Sequence, residues 1–467
     1  MDTDDIVDLE ITDVAHGGVF VGRLGAPGER GRVVFVPDTV PGERVRVRLT
    51  DTHKAAFWRG EVVEVTEASP HRRPHVWPEA DLSRPAHERP GGADFGHIAL
   101  AHQRELKLAV IRDALARIGR VDVDATIEPP LPQRGPDGEI AVDETPDATG
   151  WRTRVGLHVD ESGRIGPVGA RSHRVVSVET LPLAVPAIER AAARLTHARP
   201  GRIDLVQPAD GRVRIVPRPD LTPAGRNHPA ERGNTPAGRG TNPANRRKHP
   251  AARDTGGHRP GARNDPAFEV VTERVGAREF RVDAGGFWQV HRLAASTLST
   301  FVGEEVRALG ADPDAWHLDL YGGVGLLAAA VGDVLGPDTR MTTVESDPRA
   351  TEHAGENLAE WVGARAETGL VGPWLRALIA RASAAERERL RRGVVVLDPP
   401  RAGAGIETAR MVAELQPRAV VYVACDPVAL ARDLGAFRDA GYAAHTVRAV
   451  DLFPHSHHVE AVTTLTR

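Results

Sequence analysis

The sequence predicts an α/β protein: a doubly wound parallel sheet in the C-terminal part, preceded by a small N-terminal β-barrel and a β-rich central domain. Three observations carry this. From about Phe268, strand-like runs at 317–321, 341–345, 394–398 and 420–424 alternate with helical stretches, the pattern of a sheet covered by helices on both faces. Residues 5–66 instead hold short β-like runs between glycine and proline turns, as small barrels do. A chain of 467 residues has room for about three domains, and the composition shifts place them at 1–68, 69–267 and 268–467.

Composition narrows the possibilities. Cys425 is the single cysteine, which excludes an intramolecular disulfide and any four-cysteine zinc or iron–sulfur site. The start, Met1-Asp-Thr-Asp-Asp5, is acidic and has no apolar stretch, so no secretory signal is expected. No apolar run approaches the ~20 residues of a membrane span. A cytoplasmic protein with no membrane partner is therefore expected, and a monomer is favoured. The net charge of −4 does not announce nucleic-acid binding, so any RNA partner requires locally concentrated cations.

In the N-terminal segment, strands are expected at Ile6–Ile11, Arg32–Val36, Arg44–Leu49 and Gly60–Val65. Arg44, Arg46 and Arg48 alternate and share one strand face, either an RNA contact or a solvated face. Gly17-Gly18, Val34-Phe35-Val36-Pro37, Pro41-Gly42-Glu43 and the exit Ser69-Pro70-His-Arg-Arg73 resemble a TRAM domain, an OB-like barrel that binds RNA. Residues 70–100 read as a loop and Gln103–Ile118 as an amphipathic helix. Between 121 and 220, strands at Arg152–Val159 and Arg212–Val216 accompany a helix at about Ala187–Ala198. Residues 221–264 hold nine Lys or Arg against Glu231 and Asp254, with almost no large apolar residue. Such a stretch cannot bury enough surface to fold, so a disordered basic insertion is expected.

The chemistry-bearing residues fall at one predicted edge of the C-terminal sheet. Asp319-Leu-Tyr-Gly-Gly-Val-Gly325 follows a strand and opens a helix, and Glu345 ends the next strand. A glycine loop with an acidic strand end suits a dinucleotide or S-adenosylmethionine, and the lack of Gly-x-Gly-x-x-Gly spacing weakens the dinucleotide option. Asp398-Pro-Pro-Arg401 ends another strand, and Val420–Ala424 delivers Cys425 just before a helix at Val428–Phe437. A helix N-terminus, with Arg401, is expected to raise the thiolate fraction of Cys425. Glu460 enters an apolar strand, costly unless the carboxylate is paired or functional, and burial there would raise its pKa toward that of a base. Three histidines at 455, 457 and 458 suggest a metal, but no cysteine or carboxylate spacing supports one and none is expected.

Together Phe287-Trp-Gln289-Val-His291, Asp319–Gly325, Asp398-Pro-Pro-Arg401, Ala424-Cys425-Asp-Pro427 and Phe453-Pro-His455 with Val459-Glu460 resemble the RNA uracil-C5 methyltransferases, which make 5-methyluridine in tRNA or rRNA. The resemblance runs from Phe287 to the end of the chain. It implies a Rossmann-like methyltransferase sheet, S-adenosylmethionine held by Gln289, Tyr321, Glu345 and Asp398, Cys425 as nucleophile and Glu460 as base. Trp288 and Phe287 are expected in the core rather than against the target ring. Family members often carry an iron–sulfur cluster on a Cys-Gly-Gly-Cys element; Gly91-Gly-Ala-Asp94 stands here, so no cluster is expected. The chain departs from the family pattern at His291, Gly322, Leu326 and Asp426. Two alternatives stay open: an RNA-binding protein that keeps the fold without turnover, and a methyltransferase acting on another substrate.

Overall fold

The computed structural model describes residues 2–25, 31–135, 138–196, 198–219 and 265–467. The basic insertion expected at 221–264 lies outside the described residues.

The N-terminal segment folds as strands β1 (Ile6–Ala15), β2 (Val19–Leu24), β3 (Arg32–Val36), β4 (Arg44–Asp51) and β5 (Phe57–Glu67), closed in the order β1-β2-β3-β5-β4. Strict alternation builds it. On β4, Val45, Val47 and Leu49 are buried while Arg44, Arg46 and Arg48 face out. Those arginines meet glutamates on β5: Arg44 with Glu67 at 3.5 Å, Arg46 with Glu64 at 3.0 Å, and Arg48 in register with Glu61. Opposite charges directly across a ladder cancel, which decides for a solvated, compensated face over a basic one.

Helix α1 (Leu100–Ala114) runs into a π-helical turn at Leu115–Gly119, followed by β6 (Ala125–Glu128) and the short pair β7 (Gln133–Arg134) and β8 (Ile140–Val142). Then come β9 (Arg154–Val159), β10 (Ile165–Gly166), α2 (Pro186–Ala192), β11 (Gly201–Val206) and β12 (Arg214–Pro219). Four of these form an antiparallel sheet in the order β10-β9-β11-β12.

The C-terminal part opens with the hairpin β13 (Val270–Val275) and β14 (Arg278–Asp283). It continues with α3 (Ala294–Ala308), β15 (His317–Leu320), α4 (Leu326–Leu335), β16 (Met341–Glu345), α5 (Pro348–Asn357), β17 (Arg365–Thr368), α6 (Val371–Arg381) and α7 (Ala384–Arg392). Last are β18 (Val394–Leu397), α8 (Ile406–Glu414), β19 (Ala419–Ala424), α9 (Pro427–Asp439), β20 (Ala443–Ala444), β21 (Val447–Val450) and β22 (Glu460–Thr466). The sheet order is β17-β16-β15-β18-β19-β22-β21-β6, with β20 also on β22. Helices cover both faces, so β15, β18 and β19 are buried at every position, and β18 and β19 read as unbroken apolar runs. The chain leaves β15 toward β16 on one side and returns to β18 on the other. That reversal of strand order opens a crevice at the strands' carboxyl ends. The far edge strand, β6, comes from residues 125–128 and pairs in parallel with β21, so the sheet draws on two separate stretches of the chain.

Candidate active site

Cys425 sits in a one-residue elbow. β19 ends at Ala424, and Asp426 caps α9 by accepting a hydrogen bond from the Ala429 amide at 2.8 Å. Pro427 takes the first helical position, where its missing N–H costs nothing. The thiol is half-buried and lines a narrow cavity of about 20 Å³ with Ala15, His16, Gly17, Lys107 and His458 among the walls, room for about one water.

Glu460 begins β22, which runs antiparallel to β19 with Ala461 paired to Ala424. One step further along this ladder, Cys425 comes opposite Glu460. Side chains directly opposite share a face of the sheet. The Glu460 carboxyl is buried, and burial first, then the Asp398 charge, lift its pKa well above the carboxylate range, with Arg401 opposing.

The expectation of an acidified thiol is corrected. Burial pushes the Cys425 pKa up to about 12, with Glu460, Asp398 and Asp426 adding to it and only Arg401 pulling down. Burial outweighs the helix N-terminus, and Asp426, the residue that caps it, adds a smaller opposing charge of its own.

The cofactor candidates line the crevice unequally. Glu345, at the end of β16, accepts from the Gly323 amide at 3.1 Å and the Asp347 amide at 2.9 Å. Tyr321 has a left-handed backbone (φ 67°), a conformation costly for any residue but glycine, and its hydroxyl is hydrogen-bonded with Thr408 on α8. Asp398, just past β18, is half-buried, and its pKa is raised to about 7 by burial and by Asp319. Gln289 is half-buried in the loop between β14 and α3. In that loop Trp288 packs against Phe280 at 5.4 Å in the core, as expected, whereas Phe287 is 72% exposed rather than packed.

Several site residues were not read from the sequence as such. Asp319 is fully buried on β15; its Oδ2 accepts from Thr343 at 3.0 Å, and burial raises its pKa to about 7. The signal was available, since a carboxylate inside an apolar strand is the argument used for Glu460. Lys107 of α1 is buried and donates to Asp451 at 2.5 Å and to the Phe453 carbonyl at 2.9 Å, fixing the loop that leads to Glu460. Arg152 is a cation whose charged neighbours are Arg401 and Arg202, with no ion-pair partner among the described residues. The histidines diverge. His455 contacts the Asp147 carbonyl at 2.7 Å, His457 pairs with Asp94 at 2.8 Å, and His458 accepts from Arg401 at 3.3 Å. Among the described residues no group of three or more His, Cys, Asp or Glu could hold a metal ion.

The crevice fits S-adenosylmethionine on its own terms. It offers the buried Asp319 carboxyl, open space above Gly323, whose φ of 55° suits glycine, and an acidic strand end at Glu345. Such a set suits a ligand bearing an ammonium group and ribose hydroxyls.

Comparison with known proteins agrees. A TRAM domain model matches residues 5–63, and a tRNA (uracil-5-)-methyltransferase model matches 380–467. An uncharacterized RNA methyltransferase of Streptomyces avermitilis is 37% identical, with 98% of this chain and 97% of that protein aligned. The chain belongs to the uracil-5 type of S-adenosylmethionine-dependent RNA methyltransferases. An RNA methyltransferase of Bifidobacterium longum is 34% identical over 94% of this chain and 92% of its own. The fold is also that of the Pyrococcus abyssi tRNA (uracil-54, C5)-methyltransferase, solved with S-adenosyl-L-homocysteine. That structure has a TM-score of 0.61 at 19% identity and covers 98% of this chain and 100% of its own. In this RNA methyltransferase no helix among the described residues is long and apolar enough to cross a membrane.

Proposed function

We propose that this methyltransferase converts a uridine of tRNA or rRNA to 5-methyluridine through a covalent adduct on Cys425, with Glu460 as the base. The observation that carries the reading is the placement of Cys425 opposite Glu460, beside the crevice formed by Asp319, Glu345 and Asp398.

Uracil C5 is a poor nucleophile. The Cys425 thiolate forms a bond to C6, and the C5–C6 electron pair moves onto the ring as an enolate. C5 is then nucleophilic, and bound S-adenosylmethionine supplies an electrophilic methyl group. The Glu460 carboxylate takes the C5 proton, the ring regains its double bond, and the C6–S bond breaks to release thiolate and product. The Cys425 thiol, its pKa pushed up to about 12, is neutral at pH 7 without RNA and gives up its proton before the chemistry starts, while burial also raises the pKa of Glu460. Arg401, the charge that lowers both pKa values, assists both ionisations, and with Arg152 it offers positive charge to the RNA backbone. The target ring is unstacked to reach the sulfur, at a few kcal/mol and less from a loop.

The test is incubation with tRNA and rRNA carrying 5-fluorouridine. Fluorine at C5 blocks the proton removal, so a denaturation-resistant protein–RNA adduct is expected, lost in Cys425→Ala. Absence of an adduct with any cellular tRNA or rRNA refutes the mechanism.

A further inference from the structure

The proton of the Cys425 thiol needs an acceptor before the sulfur can attack, and Glu460 is committed to the proton of C5. His16, Lys107, His457 and His458 share the narrow cavity with Cys425 and its neighbour Asp426. Two of these are poor acceptors. Lys107 already donates to Asp451 and to the Phe453 carbonyl. His458 accepts from Arg401, and burial, then the charges of His457 and Arg401, push its pKa down to about 3. His457 is turned toward Asp94, in the loop ahead of α1. His16 differs in its anchor. Its Nε2 lies 2.8 Å from Oδ2 of Asp426, the residue that follows Cys425 in the chain. An ionised carboxylate only accepts, so Nε2 carries the hydrogen and Nδ1 keeps the lone pair. The hydrogen bond with Asp426 raises the His16 pKa above its ordinary value, against burial that lowers it, and makes the ring a stronger base.

His16 belongs to the β1–β2 turn of the barrel, and that turn is fitted closely to the site. Gly18 has a φ of 73°, and a side-chain carbon there would lie 2.9 Å from Nδ1 of His457. The turn thus packs on the loop that leads to Glu460 while His16 reaches Asp426 at the end of β19. On the barrel side His16 lines a second cavity with Asp38, Arg59, Glu61, Arg89 and Arg171. Those charges are matched among themselves: Asp38 pairs with Arg89 and Arg171, Glu61 pairs with Arg89, and Arg59 faces Asp51 across the β4–β5 ladder. Asp426 remains the charge that acts on His16. A base oriented by a third group beside a thiol is the arrangement that activates a nucleophile. The cavity at Cys425, about 20 Å³, has room for about one water, and one water suffices to pass a proton from nucleophile to base.

We propose that His16 takes the proton of the Cys425 thiol through a water in this cavity, so that the barrel completes the active site of the methyltransferase domain. This rests on the covalent mechanism at Cys425. The S–H bond breaks as sulfur bonds to C6, the proton passes to His16, and the C5–C6 electron pair moves into the enolate. When the C6–S bond breaks, the sulfur takes the proton back from the imidazolium. The test is the single-turnover rate of adduct formation on 5-fluorouridine RNA with S-adenosylmethionine. It is measured at saturating RNA and across pH for the full chain, His16→Ala, His457→Ala and Asp426→Asn. His16 is exposed, and calorimetric binding of S-adenosylhomocysteine checks that each variant is folded. The wild-type rate should rise with pH and level off once His16 is neutral. His16→Ala should be slower near neutrality by about 10²–10⁴, the usual worth of a general base. Its rate should climb about tenfold per pH unit with the thiolate fraction, closing the gap in alkali, and added imidazole should restore part of the loss. Asp426→Asn keeps a capping side chain and should move the inflection to lower pH, since the partner that raises the His16 pKa is gone. A His16→Ala rate equal to wild type, a loss equal at every pH and unmoved by imidazole, or a loss confined to His457→Ala overturns the proposal. Those outcomes leave the adduct in place, whereas no adduct in the wild type refutes the mechanism at Cys425 and this proposal with it.

Discussion

Cys425 stands opposite Glu460, one step past the last pair of an antiparallel ladder between β19 and β22. In the proposed reaction the two act at different moments, the sulfur first and the carboxylate last. Glu460→Gln should therefore stall after methyl transfer. Turnover falls by about 10²–10⁴, the usual worth of a general base, and a methylated protein–RNA adduct accumulates on unmodified RNA. A denaturing gel with labelled methyl donor reads both effects. A glutamine variant with wild-type turnover would remove Glu460 from the mechanism.

As the only cysteine, Cys425 can be followed by thiol alkylation without background. With a thiol pKa pushed up to about 12 by burial and neighbouring carboxyls, the neutral form dominates at physiological pH. The reactive thiolate grows about tenfold per pH unit until the pKa is reached. Iodoacetamide labelling of the free protein should be slow near neutrality and climb with that slope. Arg401→Ala removes the charge that opposes the shift and should slow labelling further at any given pH. A fast, pH-independent reaction near neutrality would contradict this.

Asp398 holds its proton to about pH 7 in the folded chain, against the ordinary aspartate value of 3.8. Between those values the native state binds more protons than the unfolded one, so stability falls as pH rises, and above about 7 the loss is complete. Asp398→Asn carries no charge to bury. Its Tm should exceed wild type above pH 7, with the gap closing toward pH 4. Calorimetry should show weakened S-adenosylhomocysteine binding in the same variant. A Tm gap unchanged with pH would show that the carboxyl is not held neutral.

Gly322 stands where the family often has cysteine. A side-chain carbon there would lie 1.9 Å from Thr343 Oγ1 and 2.5 Å from Asp319 Oδ2. Gly322→Cys alone should lose about 1–3 kcal/mol, the usual cost of overpacking. Gly322→Cys with Thr343→Ala should recover part of it, which denaturant titration of both variants measures. Equal losses in the single and double variants would show that Thr343 is not what excludes the side chain.

Much of this was legible in the residues. The strand runs at 341–345 and 32–36 match β16 and β3 to the residue, and those at 317–321 and 394–398 match β15 and β18 to within one, because turns and glycine loops punctuate them. Cys425, Asp398 and Glu345 fall at strand ends, as their neighbours Asp426-Pro427, Pro399-Pro400 and Ser346-Asp347 signal. The charge state of Cys425 was not legible. It depends on Glu460 and Asp398, which are distant in sequence, and on burial. Nor was the neutral face of β4, since Arg44 and Arg46 find Glu67 and Glu64 only through strand pairing.

The sequence by itself determined the order of elements, the glycine loop, the single sulfur and the buried carboxylates, because periodicity and turn chemistry act over a few residues. Tertiary structure alone decided what those groups feel. It set Cys425 against Glu460, drew β6 into the sheet from far upstream, and laid the turn at His16 over Asp426. Electrostatic shifts and cavities arise from groups that meet only when the chain closes on itself, and no local pattern of residues encodes them.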